Sequence, residues 1–491
     1  MPSSRDPISR RAVLKTTALG SLALATGVQD VFGQAQTAPP NIVYIMADDL
    51  GYADVSCYGR PDLETPNIDR IAARGVRFLQ GYANSAVCSA TRTALITGRY
   101  QYRLRLGLEE PLGGNNRDVG LPPEHPTLPS LLKAHGYGTT LIGKWHLGFL
   151  PKFSPLKSGY DHFYGFRSGG IDYYRHTPGA GPTEDFWDED MPLHQVGYTT
   201  TLFGDRAVAV VNDYAKSRTP FFLSLHFNAP HWPWESPGAD GEAESERLRV
   251  QGRGIGGYDG GSQKTYREMI EAMDTQIGRV LKALDDNRLT NNTIVIFTSD
   301  NGGERFADTW PFSGHKTELL EGGLRIPSII SWPARLPQGK TNDQVSISMD
   351  WMPTLLAAAS TSPHPDYPPD GINLLPVLTG AAPIQQRTLY WRYKANAQRA
   401  IRDGDMKFLK ILDNTFLFNV VDDPLERANL KGRQPEMYER LANKWLEWNQ
   451  TMVPEVDESS TSGITGAVQA DHIGARPATR TADNPGPPAA K

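Results

Sequence analysis

An Asp-Asp pair and an Asp-Asn pair stand directly behind apolar runs in this chain. Asn41–Met46 (NIVYIM) leads through Ala47 into Asp48-Asp49, and Thr293–Ser299 (TIVIFTS) leads into Asp300-Asn301. Three carboxylates and a carboxamide gathered at one rim repel unless a cation neutralises them. All four donate through oxygen, which favours a hard ion, Ca2+ or Mg2+, over zinc. Either pair alone also reads as an ordinary cap or turn after a strand. Their recurrence behind two similar strands tilts the reading toward a metal. A third feature is Cys88-Ser89-Ala90-Thr91-Arg92. A lone cysteine near an arginine is commonly an inert buried residue, and Cys57 reads that way.

The elements that must position these groups are visible as patterns. NIVYIM, Thr139–Ile142, Phe221–Phe227 and Thr293–Thr298 are apolar, rich in β-branched and aromatic residues, and lack period-two alternation. Such runs are strands covered on both faces. Tyr266, Met269, Ile270, Met273, Ile277, Val280, Leu281 and Leu284 form one stripe at helical period. Strands alternating with helices predict an α/β sandwich, whose ligand crevice lies at the carboxyl ends of the strands. Near Arg387 the style changes. Leu389–Tyr393, Ala400–Arg402, Lys407–Ile411 and Thr415–Asn419 are short, closely spaced and separated by turn residues, as in an antiparallel sheet. A helix follows with Met437, Leu441, Trp445 and Trp448 on one face. From Pro454 the Ser/Thr/Gly/Ala/Pro composition predicts disorder.

Composition narrows the function. Among 491 residues, Lys+Arg 50 and Asp+Glu 55 leave a net charge of −5. No basic excess points to nucleic acid or acidic lipid as the main partner. Two cysteines are too few for a disulfide scaffold or a Cys-rich zinc module. At the N-terminus, Arg10-Arg11 precedes a short apolar stretch, Ala18 to Val28, and then Gly33-Gln34-Ala35. This reads as a twin-arginine-type signal peptide, with a mature chain from near Gln36 working in the periplasm or outside the cell. The twin-arginine export machinery carries folded proteins, so anything acquired in the cytoplasm travels with the chain. No later run approaches the ~20 apolar residues of a membrane span.

Cys88-Ser89-Ala90-Thr91-Arg92, continuing to Thr97-Gly98-Arg99, resembles the sulfatase signature. The resemblance extends along the chain. Asn41 to Tyr52 is similar to the opening strand of sulfatases, and Gly143-Lys144-Trp145-His146 to their Gly-Lys-Trp-His segment. Pro230-His231-Trp232-Pro233 resembles their Pro-His-x-Pro loop, and Ser299 to Gly303 their second metal segment. Gly314-His315-Lys316 and Glu321 to Pro327 resemble their late lysine and Glu-Gly-Gly block. Six blocks in order, between Asn41 and Pro327 within a match of order and spacing over about residues 40 to 450, identify the chain as similar to type I sulfatases. The resemblance implies an alkaline phosphatase-like fold: a large mixed sheet between helices, with a smaller C-terminal antiparallel sheet and helix.

It also implies the chemistry. In that family the signature cysteine is oxidised to formylglycine, and Cys88 matches it. One hydroxyl of the hydrated aldehyde attacks sulfur, and the other later lets the aldehyde re-form and sulfate depart. By position, Asp48, Asp49, Asp300 and Asn301 are the expected Ca2+ ligands, with residue 88 also near the ion; Mg2+ is the alternative. Arg92 would hold the diol, and Lys144 and Lys316 would bind sulfate oxygens. His231 would protonate the departing alcohol and His146 would take the proton in the elimination. His226 and His315 match no family role.

Ala90 stands where proline is commoner, which leaves the type of maturase open, radical-type maturases accepting alanine more readily; a cytoplasmic maturase is the expected partner that forms formylglycine. Ile171 to His176, with Asp172 and Tyr173, resembles a stretch of arylsulfatase B-like enzymes, as does Thr309-Trp310-Pro311. Asp172, Tyr173 and Trp310 are therefore the candidate sugar contacts. The expected substrate is a sulfated carbohydrate of the sulfated N-acetylgalactosamine type. A phosphodiesterase or phosphonate monoester hydrolase, and a carbohydrate-binding pseudoenzyme, are the alternatives. The expected division is a signal peptide over 1–35, a catalytic domain over 36–380, a C-terminal subdomain over 381–453 and a disordered tail over 454–491.

Overall fold

The computed structural model describes residues 38–113, 117–255 and 260–455. The expected signal peptide, and all but the first two residues of the expected disordered tail, lie outside the described residues.

The four apolar runs are strands side by side at the centre of a ten-stranded mixed sheet. Thr293–Ser299, Asn41–Ala47, Phe221–His226 and Gly138–Lys144 are consecutive neighbours and all parallel. Every residue of Asn41–Ala47 is buried. Its alternate side chains enter different cores. Val43, Ile45 and Ala47 pack with Phe203, Met269, Met273 and Ile277. Ile42, Tyr44 and Met46 pack with Leu95, Ile96, Leu132 and Leu355. Both faces are thus covered by helices, which explains the missing alternation. Helices Thr199–Ser217 and Gln263–Asp286 lie on the first face. Cys88–Thr97, Leu128–Ala134 and Trp351–Ala358 lie on the second.

The sheet is mixed because Ser328–Ser331 runs antiparallel to both Thr293–Ser299 and Gly75–Phe78. The expected C-terminal sheet is present as four antiparallel strands: Thr388–Tyr393, Gln398–Asp403, Met406–Ile411 and Asn414–Asn419. One face, with Trp391, Ala400, Leu409 and Phe418, packs on Val87, Ala90 and Ala94 of the Cys88 helix region. The other holds Leu441 and Trp445 of helix Pro435–Asn449. Among the described residues no helix is long and apolar enough to cross a membrane.

Register does the positioning. Ala47 pairs with Ser299, Met46 with both Thr298 and His226, and Gly143 with His226. The four strands therefore end in one row. Asp300, Asp48 and Phe227, which follow three of them, and Lys144, the last residue of the fourth, emerge at one edge. Gly143 has φ +103, and a Cβ there would lie 1.8 Å from the His226 carbonyl oxygen. Only glycine lets these two strands close immediately before Lys144.

Candidate active site

Cys88 opens helix Cys88–Thr97, whose ten residues are all buried. The helix therefore directs its positive end at the strand-end row. Donor atoms of Asp48, Cys88 and Asp300 lie within 4.8 Å of one another, as do those of Asp48, Asp49 and His231. Burial pushes the Cys88 thiol up, against the pull of Lys144 and Lys316.

The carboxylates are held by cations from three separate elements. Lys144 Nζ donates to Asp48 Oδ2 at 2.6 Å, and Lys316 Nζ to Asp49 Oδ2 at 2.6 Å. Arg92 donates to Asp300 Oδ2 through Nε at 3.0 Å and Nη2 at 2.8 Å. Asn301 donates to Asp49 Oδ1 at 2.7 Å. Burial and the neighbouring Asp300 charge push Asp48 well above the usual carboxylate range. Burial acts the same way on Asp300, but Arg92 and Lys144 outweigh it and hold that carboxyl below its usual value. Burial alone would lower Lys316; Asp49 and Glu304 reverse this and hold it well above the lysine range.

The donor set fits a hard divalent cation. Asp48 Oδ1 and Asn301 Oδ1 are buried with no hydrogen-bond partner. Buried oxygens without a hydrogen bond are costly; Arg92 Nη2 stands 3.8 Å from Asp48 Oδ1, an ion pair without a hydrogen bond, and both oxygens stand among further carboxylate oxygens that repel one another. A cation bound by oxygen would satisfy the orphans and relieve the repulsion.

The two histidines have defined tautomers. His146 Nε2 faces the Leu112 carbonyl at 2.8 Å, so it carries the proton; Nδ1 is then a buried acceptor with no hydrogen-bond partner. His231 Nδ1 faces the Trp232 carbonyl at 2.5 Å and carries the proton, while Nε2 lies 3.5 Å from Asp49 Oδ2. Burial, then nearby lysine charge, pushes both rings well below the usual histidine value. Several of these residues share a left-handed backbone: Asp49 at φ 62, His146 at φ 55 and Thr317, beside Lys316, at φ 74. Such conformations persist where the surroundings over-determine them.

The structure thus brings Asp48, Asp49, Cys88, Arg92, Lys144, His146, His231, Asp300, Asn301 and Lys316 together. It does not bring Asp172 and Tyr173 to any surface a sugar could touch; both are 0% exposed. The Asp172 carboxylate is taken up by Arg175, Ser245 and backbone N–H groups. The Tyr173 hydroxyl lies 2.7 Å from the Asn228 carbonyl and 2.9 Å from that of His231, bracing the His231 loop. Trp310 is 72% exposed, as a sugar-stacking residue requires. Sequence reasoning missed Glu304, which accepts from the Trp232 indole and lies 3.8 Å from Lys316 Nζ. It also passed over His226, whose Nδ1 is 3.4 Å from Arg92 Nη1 and which burial and Arg92 push down to about 3. Its position at the end of a buried strand is the signal that could have found it.

Comparison with known proteins gives a consistent picture. The family description Sulfatase matches residues 40–361, and N-sulphoglucosamine sulphohydrolase, C-terminal, matches residues 314–450. Arylsulfatase J of Mus musculus is 29% identical, over 89% of this chain and 80% of its own. N-acetylgalactosamine-6-sulfatase of Canis lupus familiaris is 32% identical, over 75% of this chain and 71% of its own. The crystal structure of Ps i-CgsB in complex with k-i-k-neocarrahexaose superposes with a TM-score of 0.74 at 28% identity, covering 86% of this chain and 94% of that one.

Proposed function

The chain belongs to the sulfatase family and is a sulfuric ester hydrolase; on that premise we propose that it removes sulfate from a sulfated carbohydrate through residue 88, as formylglycine, beside a bound Ca2+. The observation that carries this reading is the convergence of Asp48, Asp300 and Cys88 donor atoms within 4.8 Å of one another, ringed by buried cations. Formylglycine, when formed from Cys88, supplies as its hydrate an oxygen nucleophile and a second hydroxyl that allows sulfate to leave. A divalent cation held by Asp48, Asp49, Asp300 and Asn301 supplies Lewis acidity. Mg2+ is the competing ion.

The protein's own groups do the rest. Lys144 and Lys316 each carry a buried ammonium at the edge of the carboxylate set, where sulfate oxygens can exchange for carboxylate contacts. Fixed cations facing developing charge stabilise it without reorganisation. Arg92 neutralises Asp300 and holds it in place beside residue 88. The unprotonated His146 Nδ1 is the acceptor for the elimination proton; His231 Nε2 is bare in this structure and must first take up a proton before it can give one to the departing alcohol oxygen. The relatives' names supply the substrate class: N-acetylgalactosamine-6-sulfatase and a neighbour bound to a neocarrahexaose. Exposed Trp310 supports a sugar-stacking wall. We further propose twin-arginine export to the periplasm or beyond, after a cytoplasmic maturase has acted.

The test is release of inorganic sulfate by matured, Ca2+-loaded protein from sulfated N-acetylgalactosamine and sulfated galactan oligosaccharides. An aryl phosphate diester serves as the rival substrate. A kcat/KM favouring a sulfated sugar supports the reading. A preference for the phosphodiester, or glycan binding without hydrolysis, overturns it.

A further inference from the structure

We propose that Gln398, in the C-terminal sheet, is a positioning residue for Lys316. The inference rests on the reading of Lys316 as a sulfate-binding cation. Lys316 lies on a loop, not on a helix or strand, and its ammonium is buried against Asp49. Its backbone is tied to two functional segments. Lys316 N–H donates to the Gly303 carbonyl at 3.0 Å, just beyond Asp300-Asn301, and Thr317 N–H donates to the Ala86 carbonyl at 2.9 Å, just before Cys88.

The conformation that permits both bonds is an unfavourable one. Thr317 has φ 74, and a β-branched residue in the left-handed region is a true outlier. Its hydroxyl makes no hydrogen bond that would compensate locally. Something outside the loop must hold it, and Gln398 is placed to do so. Its Nε2 donates to the Thr317 carbonyl at 2.8 Å, and its Oε1 accepts from the Leu319 N–H at 2.8 Å. One side-chain amide therefore clasps the turn on the C-terminal side of Lys316. Gln398 is itself rigid: it is 1% exposed, begins strand Gln398–Asp403 and pairs with Tyr393. The small sheet thereby grips the loop of Lys316 through a side-chain amide.

The decisive experiment separates positioning from general support. Gln398→Met keeps length and bulk while removing both hydrogen bonds to the loop, along with the longer one from Nε2 to the Ala395 carbonyl at 3.2 Å. In matured, metal-loaded protein assayed with an aryl sulfate, it is expected to lower kcat about tenfold with little change in KM. Adding Thr317→Gly should restore much of that loss, because glycine adopts the left-handed backbone freely. A merely structural role for Gln398 would not be repaired by a change of backbone preference at residue 317. Should Gln398→Met fail to fold, Gln398→Glu keeps the acceptor for Leu319 and, when ionised, loses the donor to Thr317; the same loss and the same rescue are expected. Unchanged kcat in the Gln398 variant, or a loss that Thr317→Gly does not relieve, overturns the proposal. Lys316→Met is measured in parallel. If it leaves kcat intact, the reading of Lys316 fails; if it abolishes turnover while Gln398→Met does not alter it, only the positioning role fails.

Discussion

Arg92 meets Asp300 with two nitrogens on one oxygen, Nε at 3.0 Å and Nη2 at 2.8 Å from Oδ2. The other carboxylate oxygen, Oδ1, accepts the Asp49 N–H at 3.2 Å. The helix of the nucleophile is in this way joined to both acidic strand ends through one carboxyl group.

Removing that arginine should cost stability as well as rate. Arg92→Met leaves Asp300 and Asp48 buried with one counter-charge fewer. Loss of one partner of a buried pair typically costs about 3–5 kcal/mol, to be read by urea unfolding of the metal-free protein. Turnover should fall at least ~100-fold. A variant as stable as the parent would show that the pair contributes nothing to folding.

Metal binding should be visible without any substrate. Ca2+ is expected to raise Tm, because a ligand that binds only the folded state stabilises it by about 2.7 kcal/mol at a hundredfold excess over Kd. Asn301→Ala removes one of the orphaned oxygens and should weaken Ca2+ affinity in calorimetry by roughly tenfold. Equal indifference of Tm to Ca2+, Mg2+ and chelator would contradict the donor-set argument.

The nucleophile is checked by mass. The tryptic peptide Phe78–Arg92 from the native host should carry an aldehyde at residue 88 in place of the thiol. An intact thiol in fully active protein would remove formylglycine from the mechanism.

A pH effect on stability should arise at Glu110, a carboxyl outside the proposed metal-ligand set. Burial pushes the Glu110 carboxyl up to about 8, while Lys394 N–H donates to it at 2.7 Å. A folded value above the unfolded one means the native state holds the proton more tightly. The contribution is complete below about pH 4.5 and is lost as pH rises through about 8. Glu110→Gln keeps the acceptor and removes the titration, so its Tm should fall less than the parent's between pH 5 and pH 9. Parallel curves would mean that Glu110 titrates normally.

The acidic part of this site is legible in the residues because strands with both faces covered announce themselves as unbroken apolar runs; Cys88, Arg92, the two lysines and the two histidines are legible only through the resemblance to sulfatases. Parallel register then carries the polar residues behind Asn41–Ala47, Gly138–Lys144 and Thr293–Ser299 to one edge. Asp172 and Tyr173 illustrate the limit. An acidic residue beside aromatics has the same pattern in a cleft wall and in a packed loop. What decides is whether Arg175 and Ser245 already occupy the carboxylate, and those contacts come from the fold. Edge pieces such as Trp187–Asp188 and Met191–Pro192 are two residues long and carry no pattern to read. Gln398 lies just outside the expected Ala400–Arg402 strand, and nothing local ties it to Lys316. That link exists only once the small sheet is seated.

Cys88 is 2% exposed at the start of a wholly buried helix, packed beneath the C-terminal sheet. Its neighbours Val87, Ala90 and Ala94 pack against that sheet, so a maturase of the kind proposed, which must grip the segment and not only reach the side chain as a substrate does, would need it before the sheet seats. On the proposal that Cys88 is converted by a maturase, maturation and folding are rivals in time, and whichever runs first decides the fate of each molecule. Changes that hasten folding should yield more stable but chemically silent protein, and changes that delay closure of the small sheet should raise the converted fraction.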